Sequence, residues 1–226
     1  MKAIEPGFTF EDEIDGMAIL KKLERIGRTC YKSEDLITED SCKTFIKKIM
    51  DSGHESVIEH VSITVRVICD RGITHEIVRH RIASYSQEST RYCNYSKDKH
   101  GNEMKVILPY WFKDAHAKYI ANPGAFAPVT DNELQYAYWL RGCAQAETSY
   151  FGMLADGGSA QEARDVLPNS LKTEIVMTLN LRSWINFFKQ RTSKKAHPQM
   201  REIARPMLKE FQERIPVIFD DITYED

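Results

Sequence analysis

Val61-Ser62-Ile63-Thr64-Val65-Arg66-Val67-Ile68-Cys69-Asp70 sets apolar side chains at 61, 63, 65, 67 and 69, with Ser62, Thr64 and Arg66 between them. A period of two sends the two sets to opposite faces, so this stretch predicts a half-buried β-strand. The alternation returns over Leu171–Leu181, through Leu171, Ile175, Met177, Leu179 and Leu181, and predicts a second strand. Met104–Leu108 predicts a short third one ahead of Pro109. Elsewhere the spacing is helical. Met17, Ile19, Leu20, Leu23 and Ile26 predict a helix over 15–29, and 38–52 a second, with Thr38 as N-cap and Gly53 closing it. Further helices are predicted over 72–83, 131–155 (Leu134, Tyr138, Cys143 and Leu154 facing inward), 183–190 and 198–214. No βαβ period orders these elements, which makes the class α+β.

Composition bounds the rest. At 226 residues, the chain fits one large domain or two small ones, and since the loop Asn122–Pro128 reads as a surface loop rather than a linker, a single domain over 1–226 is expected. The 31 Lys and Arg against 33 Asp and Glu give a net charge of −2, unlike a dedicated nucleic-acid binder. Five scattered cysteines, an acidic N-terminal stretch (Glu5, Glu11, Asp12, Glu13) and no apolar run near the ~18–20 residues that span a bilayer predict a cytoplasmic protein without membrane contact. Neither Gly-x-Gly-x-x-Gly nor Gly-x-x-x-x-Gly-Lys occurs, so a bound nucleotide is held by neither a Rossmann turn nor a P-loop.

Three clusters carry chemistry. Arg79-His80-Arg81, followed by Ser84, Ser86-Gln87-Glu88-Ser89 and Arg91-Tyr92, gathers three guanidiniums and an imidazole within thirteen residues. Guanidinium binds phosphate or carboxylate oxygens bidentately. The plainer reading is that Arg79 and Arg81 complement the negative end of a helix. Three consecutive helical residues fan over roughly 200°, so at least one must turn inward and find a partner there. His54-Glu55-Ser56-Val57-Ile58-Glu59-His60 invites a metal, but its histidines stand six apart, about 240° round a helix. A polar loop or a strand cap suits it better, and no metal is expected. The third cluster, Arg182 to Lys209, carries eight basic residues against one acid, Glu202. Lys194, Lys195 and Lys209 suit a solvated face. Arg182 and Arg191 flank the apolar Trp184–Phe188, beside Asn180 and Asn186, amides able to read a heterocycle or cap a helix. Ser89 lies near His80 in sequence, yet no Gly-x-Ser-x-Gly elbow supports a nucleophile.

Arg79-His80-Arg81, seven intervening residues and Ser89 resemble the signature of the flavin-dependent thymidylate synthases. Arg28-Thr29-Cys30-Tyr31, Gly53-His54-Glu55, Glu59-His60, Ser84-Tyr85, Ser89-Thr90-Arg91-Tyr92, Arg164 before Val166-Leu167-Pro168, Asn180-Leu181-Arg182-Ser183, Asn186 and Arg191 all fall in family order. The resemblance implies that family's fold, with a central, mostly antiparallel sheet flanked by helices. It implies reductive methylation of dUMP to dTMP, with methylenetetrahydrofolate as carbon donor, NADPH as reductant and FAD as mediator. It assigns Glu76, Arg79, Gln87, Glu88, Ser89, Thr90, Arg91, Arg164 and Arg191 to dUMP. Ser56, Arg79, His80, Arg81, Gln87, Asn180, Arg182 and Asn186 are assigned to FAD, and His54 to the flavin–folate face. Arg191 would be the catalytic group, holding the uracil and favouring its N3-deprotonated form, with no nucleophile from the enzyme. A homotetramer sharing its sites between subunits is implied. Glu76 stands where a neutral glutamine is expected, and the longer segment from Arg191 to His197 leaves open whether His197 or Gln199 approaches the flavin. Two other function classes remain: a non-catalytic nucleotide- or RNA-binding module using the basic clusters, and a metal-dependent hydrolase built on His54, Glu55, Glu59 and His60.

Overall fold

The computed structural model describes residues 1–97 and 101–225. In chain order the elements are β1 (Lys2–Ile4), β2 (Gly7–Phe10), α1 (Gly16–Thr29), α2 (Ser41–Asp51), β3 (Ser62–Asp70), α3 (Arg71–Ile77) and β4 (Ser84–Gln87). There follow β5 (Lys105–Ile107), α4 (Lys113–Ala121), α5 (Asp131–Ala155), α6 (Ala160–Ala163), β6 (Lys172–Asn180), α7 (Leu181–Arg191) and α8 (Pro198–Arg214). The fold is α+β. One sheet has the strand order β2-β3-β6-β4, and β1 pairs with β5 in parallel. Both predicted long strands form: Ile63, Val65, Val67 and Cys69 are buried on β3, and Ile175, Met177 and Leu179 on β6. Their register is antiparallel. The Leu181 N–H donates to the Val61 carbonyl, the Thr64 and Thr178 hydroxyls meet at 3.0 Å, and the Arg71 N–H donates to the Leu171 carbonyl.

The chain divides into two compact units: 1–7, 68–76 and 87–175 make the first, and 8–67, 77–86 and 176–226 the second. In the second unit α1 packs on α2, and α7 packs on α8 through fully buried Trp184, Phe187, Phe188, Phe211 and Phe219. Trp184 also donates its indole N–H to the Ile63 carbonyl at 3.1 Å, which docks α7 on β3. At Gly27 a Cβ would come within 2.7 Å of the Phe45 ring, so only glycine lets α1 and α2 approach this closely. The first unit centres on α5, with Tyr136, Cys143 and Tyr150 buried one heptad apart.

Three expectations are corrected. The second helix starts at Ser41, not Thr38, because the Ser41 hydroxyl accepts the Thr38 N–H and holds that residue in a turn. Helix α3 stops at Ile77 rather than Ala83, so Arg79, His80 and Arg81 lie in a turn and the helical fan does not apply. The Tyr85 hydroxyl takes the carbonyls of Ile77 and His80, where a continuing helix would have placed amides. On α5, Leu134 and Tyr138 face outward. The capping box between Thr130 and Glu133 fixes the helix rotation. Buried Glu133 must meet the Val129 and Thr130 N–H groups and Lys118, which carries Tyr136 and Cys143 inward instead.

Candidate functional site

In the second unit a cleft of about 660 Å³ opens along α7. Asn180 starts that helix: its side-chain oxygen accepts the Ser183 N–H at 2.8 Å. Arg182 and Asn186, four apart, therefore share one face toward the cleft. A cation in a first helical turn opposes the helix dipole. Here two carboxylates offset it: Arg182 donates through Nε to Glu55 (3.1 Å) and through Nη1 to Glu59 (2.7 Å). Both glutamates come from the 3-10 turn Glu55–His60. They serve as counter-ions to Arg182. Asn186 accepts from Gln190 at 2.9 Å, one turn on.

The opposite wall is the turn of Arg79, His80 and Arg81. The two arginines are exposed, whereas His80 is 7% exposed. Arg191 Nε donates to His80 Nε2 at 3.0 Å, which assigns a neutral ring carrying its proton on Nδ1. Burial, and then the Arg191 charge, lower the His80 pKa from 6.5 to about 4. The ring meets Phe187 edge-on, with centroids 5.0 Å apart. An inward-facing member of the tripeptide was expected and is found, although a turn, not a helix, delivers it.

His54 follows a Schellman close of α2. Gly53, at φ +70°, donates its N–H to the Met50 carbonyl, and His54 donates to that of Ile49. His54 Nδ1 lies 3.0 Å from the Tyr31 hydroxyl, at a second cavity of about 720 Å³. Arg28 lines this cavity too, both Nε and Nη2 bound to buried Glu24 and its guanidinium 4.7 Å above the Phe45 ring. Ser56 is exposed and lines neither cavity. His197 caps α8, its Nδ1 accepting the Gln199 N–H at 3.3 Å, and neither residue lines the first cleft.

The other predicted residues belong to the first unit. Gln87 donates to the Thr74 and Thr173 hydroxyls at 3.1 and 3.4 Å. Glu88 accepts from the Tyr95 hydroxyl at 3.0 Å and from Lys172 at 2.9 Å. Burial pulls the Lys172 pKa down, but its bonds to Glu174 and Glu88 outweigh that and hold it above the ordinary lysine value. Ser89 Oγ accepts the Arg91 N–H at 3.3 Å, and Thr90 is buried. Arg91 lies over the Tyr92 ring, exposed Arg164 stands 3.9 Å from Asp165, and Glu76 sits half-buried on α3. Glu55, Glu59, Lys172 and Tyr95 were absent from the predicted site. Glu55 and Glu59 were marked in the sequence only as motif members and as possible metal ligands, and Lys172 and Tyr95 not at all, because spacing alone does not connect them to Arg182 or Glu88.

Residues 14–217 match the family described as Thymidylate synthase complementing protein. A flavin-dependent thymidylate synthase of Geobacter sulfurreducens is 33% identical over 201 residues, covering 86% of this chain and 78% of that protein. One from Pyrococcus abyssi is 34% identical over 184 residues (81% and 68%), and one from Mycobacterium sp. strain KMS is 32% identical over 231 residues (96% and 85%). With the family match spanning nearly the whole chain, and with the Arg79-His80-Arg81 turn, Asn180, Arg182 and Asn186 facing one cleft, the chain belongs to the flavin-dependent thymidylate synthase family.

Proposed function

We propose that this protein converts dUMP to dTMP, with methylenetetrahydrofolate as carbon donor, NADPH as reductant and FAD as bound cofactor. The observation that carries this reading is the convergence of Arg79, His80, Arg81, Asn180, Arg182 and Asn186 on one cleft from segments about a hundred residues apart. The cleft suits the dinucleotide. Arg79, Arg81, Arg182 and Lys189 against Glu55 and Glu59 leave a net charge of +2, which matches a pyrophosphate bridge. Ile82 and Ile185 add apolar surface for rings, and the Asn186 amide offers polar contacts. When bound, FAD would supply the redox chemistry that passes reducing equivalents from NADPH to the transferred carbon.

The protein's own part is binding and electrostatics. Arg191 would hold the uracil, its fixed charge stabilising the N3-deprotonated ring. Because His80 is neutral, its Nε2 accepts the hydrogen bond from Arg191 Nε–H without competing with that charge. Gln87, Glu88, Ser89, Thr90, Arg91, Arg164 and Arg79 are assigned to dUMP, and Glu76 with them. His54 is assigned to the flavin–folate face. Ser89 takes a positioning role, in keeping with its hydroxyl accepting a backbone N–H. The family match over 14–217 draws on both compact units, which supports one functional domain over 1–226. The assembly is a homotetramer with sites shared between copies, working in the cytoplasm. Among the described residues no helix is long and apolar enough to cross a membrane.

The test is direct. Purified protein should be yellow or gain flavin absorbance with FAD, bleach with NADPH, and form dTMP when dUMP and methylenetetrahydrofolate are added. A colourless protein that gains no flavin signal and makes no dTMP would overturn the proposal.

A further inference from the structure

Tyr85 has no role in the chemistry described so far, yet it joins two parts of it. Its hydroxyl lies 2.9 Å from the Ile77 carbonyl and 2.7 Å from the His80 carbonyl, one proton serving both acceptors. These carbonyls bracket the turn that follows α3, where terminal carbonyls need partners from outside the helix. The same turn sets the His80 ring, which is buried, packed edge-on to Phe187 and 3.0 Å from Arg191 Nε. The imidazole is thus fixed through its backbone by Tyr85 and through its ring by α7.

We propose that Tyr85 is a positioning residue for Arg191: its hydroxyl locks the His80 turn, and His80 Nε2 then holds the guanidinium in one plane before substrate arrives. The physical gain is preorganisation. A free arginine side chain surrenders considerable rotamer entropy on binding, and a guanidinium already ordered in the empty site surrenders less. Burial raises the Tyr85 phenol to about 12 against the opposing pull of Arg191, so it stays a donor throughout the neutral range. The proposal rests on the reading of Arg191 as the group that holds the uracil.

A double-mutant cycle on the FAD-loaded protein tests it, reading dUMP affinity by titration. Tyr85→Phe keeps the ring and removes only the O–H. It should weaken dUMP binding roughly tenfold while the variant still folds cooperatively and keeps its FAD. In an Arg191→Ala background the same substitution should change dUMP affinity less than about twofold, because the partner through which it acts is gone. Equal losses in both backgrounds, or no loss in either, would overturn the proposal. If Tyr85→Phe fails to fold, His80→Gln and His80→Leu take its place. Glutamine keeps an oxygen acceptor and should retain most of the affinity, leucine should lose it, and equal affinities refute the relay. Nitrogen NMR of the His80 ring supplies a readout that needs no dUMP. A single Nδ1-protonated tautomer in the native protein should become a mixture in Tyr85→Phe. An unchanged tautomer in that variant defeats the relay, whereas failure of the native protein to bind dUMP, with the tautomer intact, defeats the substrate assignment instead.

Discussion

His80 makes the protein sensitive to mild acid in a way that can be isolated. In the folded state burial and Arg191 hold its pKa at about 4, against an ordinary 6.5. Between these values the unfolded chain binds a proton that the native one refuses, so stability is full above about pH 6.5 and falls as pH drops toward 4. The full shift makes unfolding about 2 kcal/mol easier at pH 5 than at pH 7, and partial solvent access at the cleft reduces this to roughly 1–2 kcal/mol. Other groups titrate in the same range, so the measurement is a difference. Urea unfolding of native protein and of His80→Gln, both without flavin and at equal concentration, is compared at pH 7 and pH 5. Glutamine cannot take the proton, and the variant should lose that 1–2 kcal/mol of pH dependence whatever its absolute stability. If the two pH slopes agree within about 0.3 kcal/mol, the buried neutral imidazole is not the origin of the acid sensitivity.

Arg191→Ala should abolish dTMP formation while leaving secondary structure and FAD content near native, as product analysis and circular dichroism would show; full activity would remove Arg191 from the chemistry. Ser89→Ala should retain measurable turnover, since its hydroxyl only accepts a backbone N–H, and trapping a covalent Ser89–uracil adduct in the native enzyme would reverse that assignment. Gly27→Ala drives a Cβ to 2.7 Å from the Phe45 ring and should cost about 1–3 kcal/mol in denaturant unfolding; no loss would mean that α1 and α2 separate freely. Lys172→Met strips a charged donor from Glu88 and should destabilise the protein by about 1–3 kcal/mol, with dUMP binding weakened as well. Unchanged unfolding and dUMP titrations would show that the ion pair carries neither role.

The long strands were legible because a period of two survives in any context that buries one face, and both β3 and β6 keep it. Helix ends and faces were less so, because they depend on partners that spacing does not reveal. The α3 terminus is set by a hydroxyl eight residues downstream of Ile77, and the α5 face by a buried glutamate that a hydrophobicity pattern counts as exposed. The candidate-site residues stand in the sequence as an ordered set of motifs, but not as pairs: His80 and Arg191 are 111 positions apart, and Arg182 and Glu59 are 123 apart.

The strand pattern nevertheless contains part of that pairing. The 3-10 turn with Glu55 and Glu59 leads directly into β3, and β6 leads directly into Arg182. An antiparallel register with Val61 opposite Leu181 therefore brings the two carboxylates and the guanidinium to the same end of the sheet. A slip of one residue would leave one strand's apolar face buried and turn the other's toward solvent, so the register is fixed by hydrophobic burial. The alternation of apolar residues in β3 and β6 thus does two things at once: it buries Ile63, Val65, Met177 and Leu179, and it delivers Arg182 to its counter-ions at the mouth of the cleft.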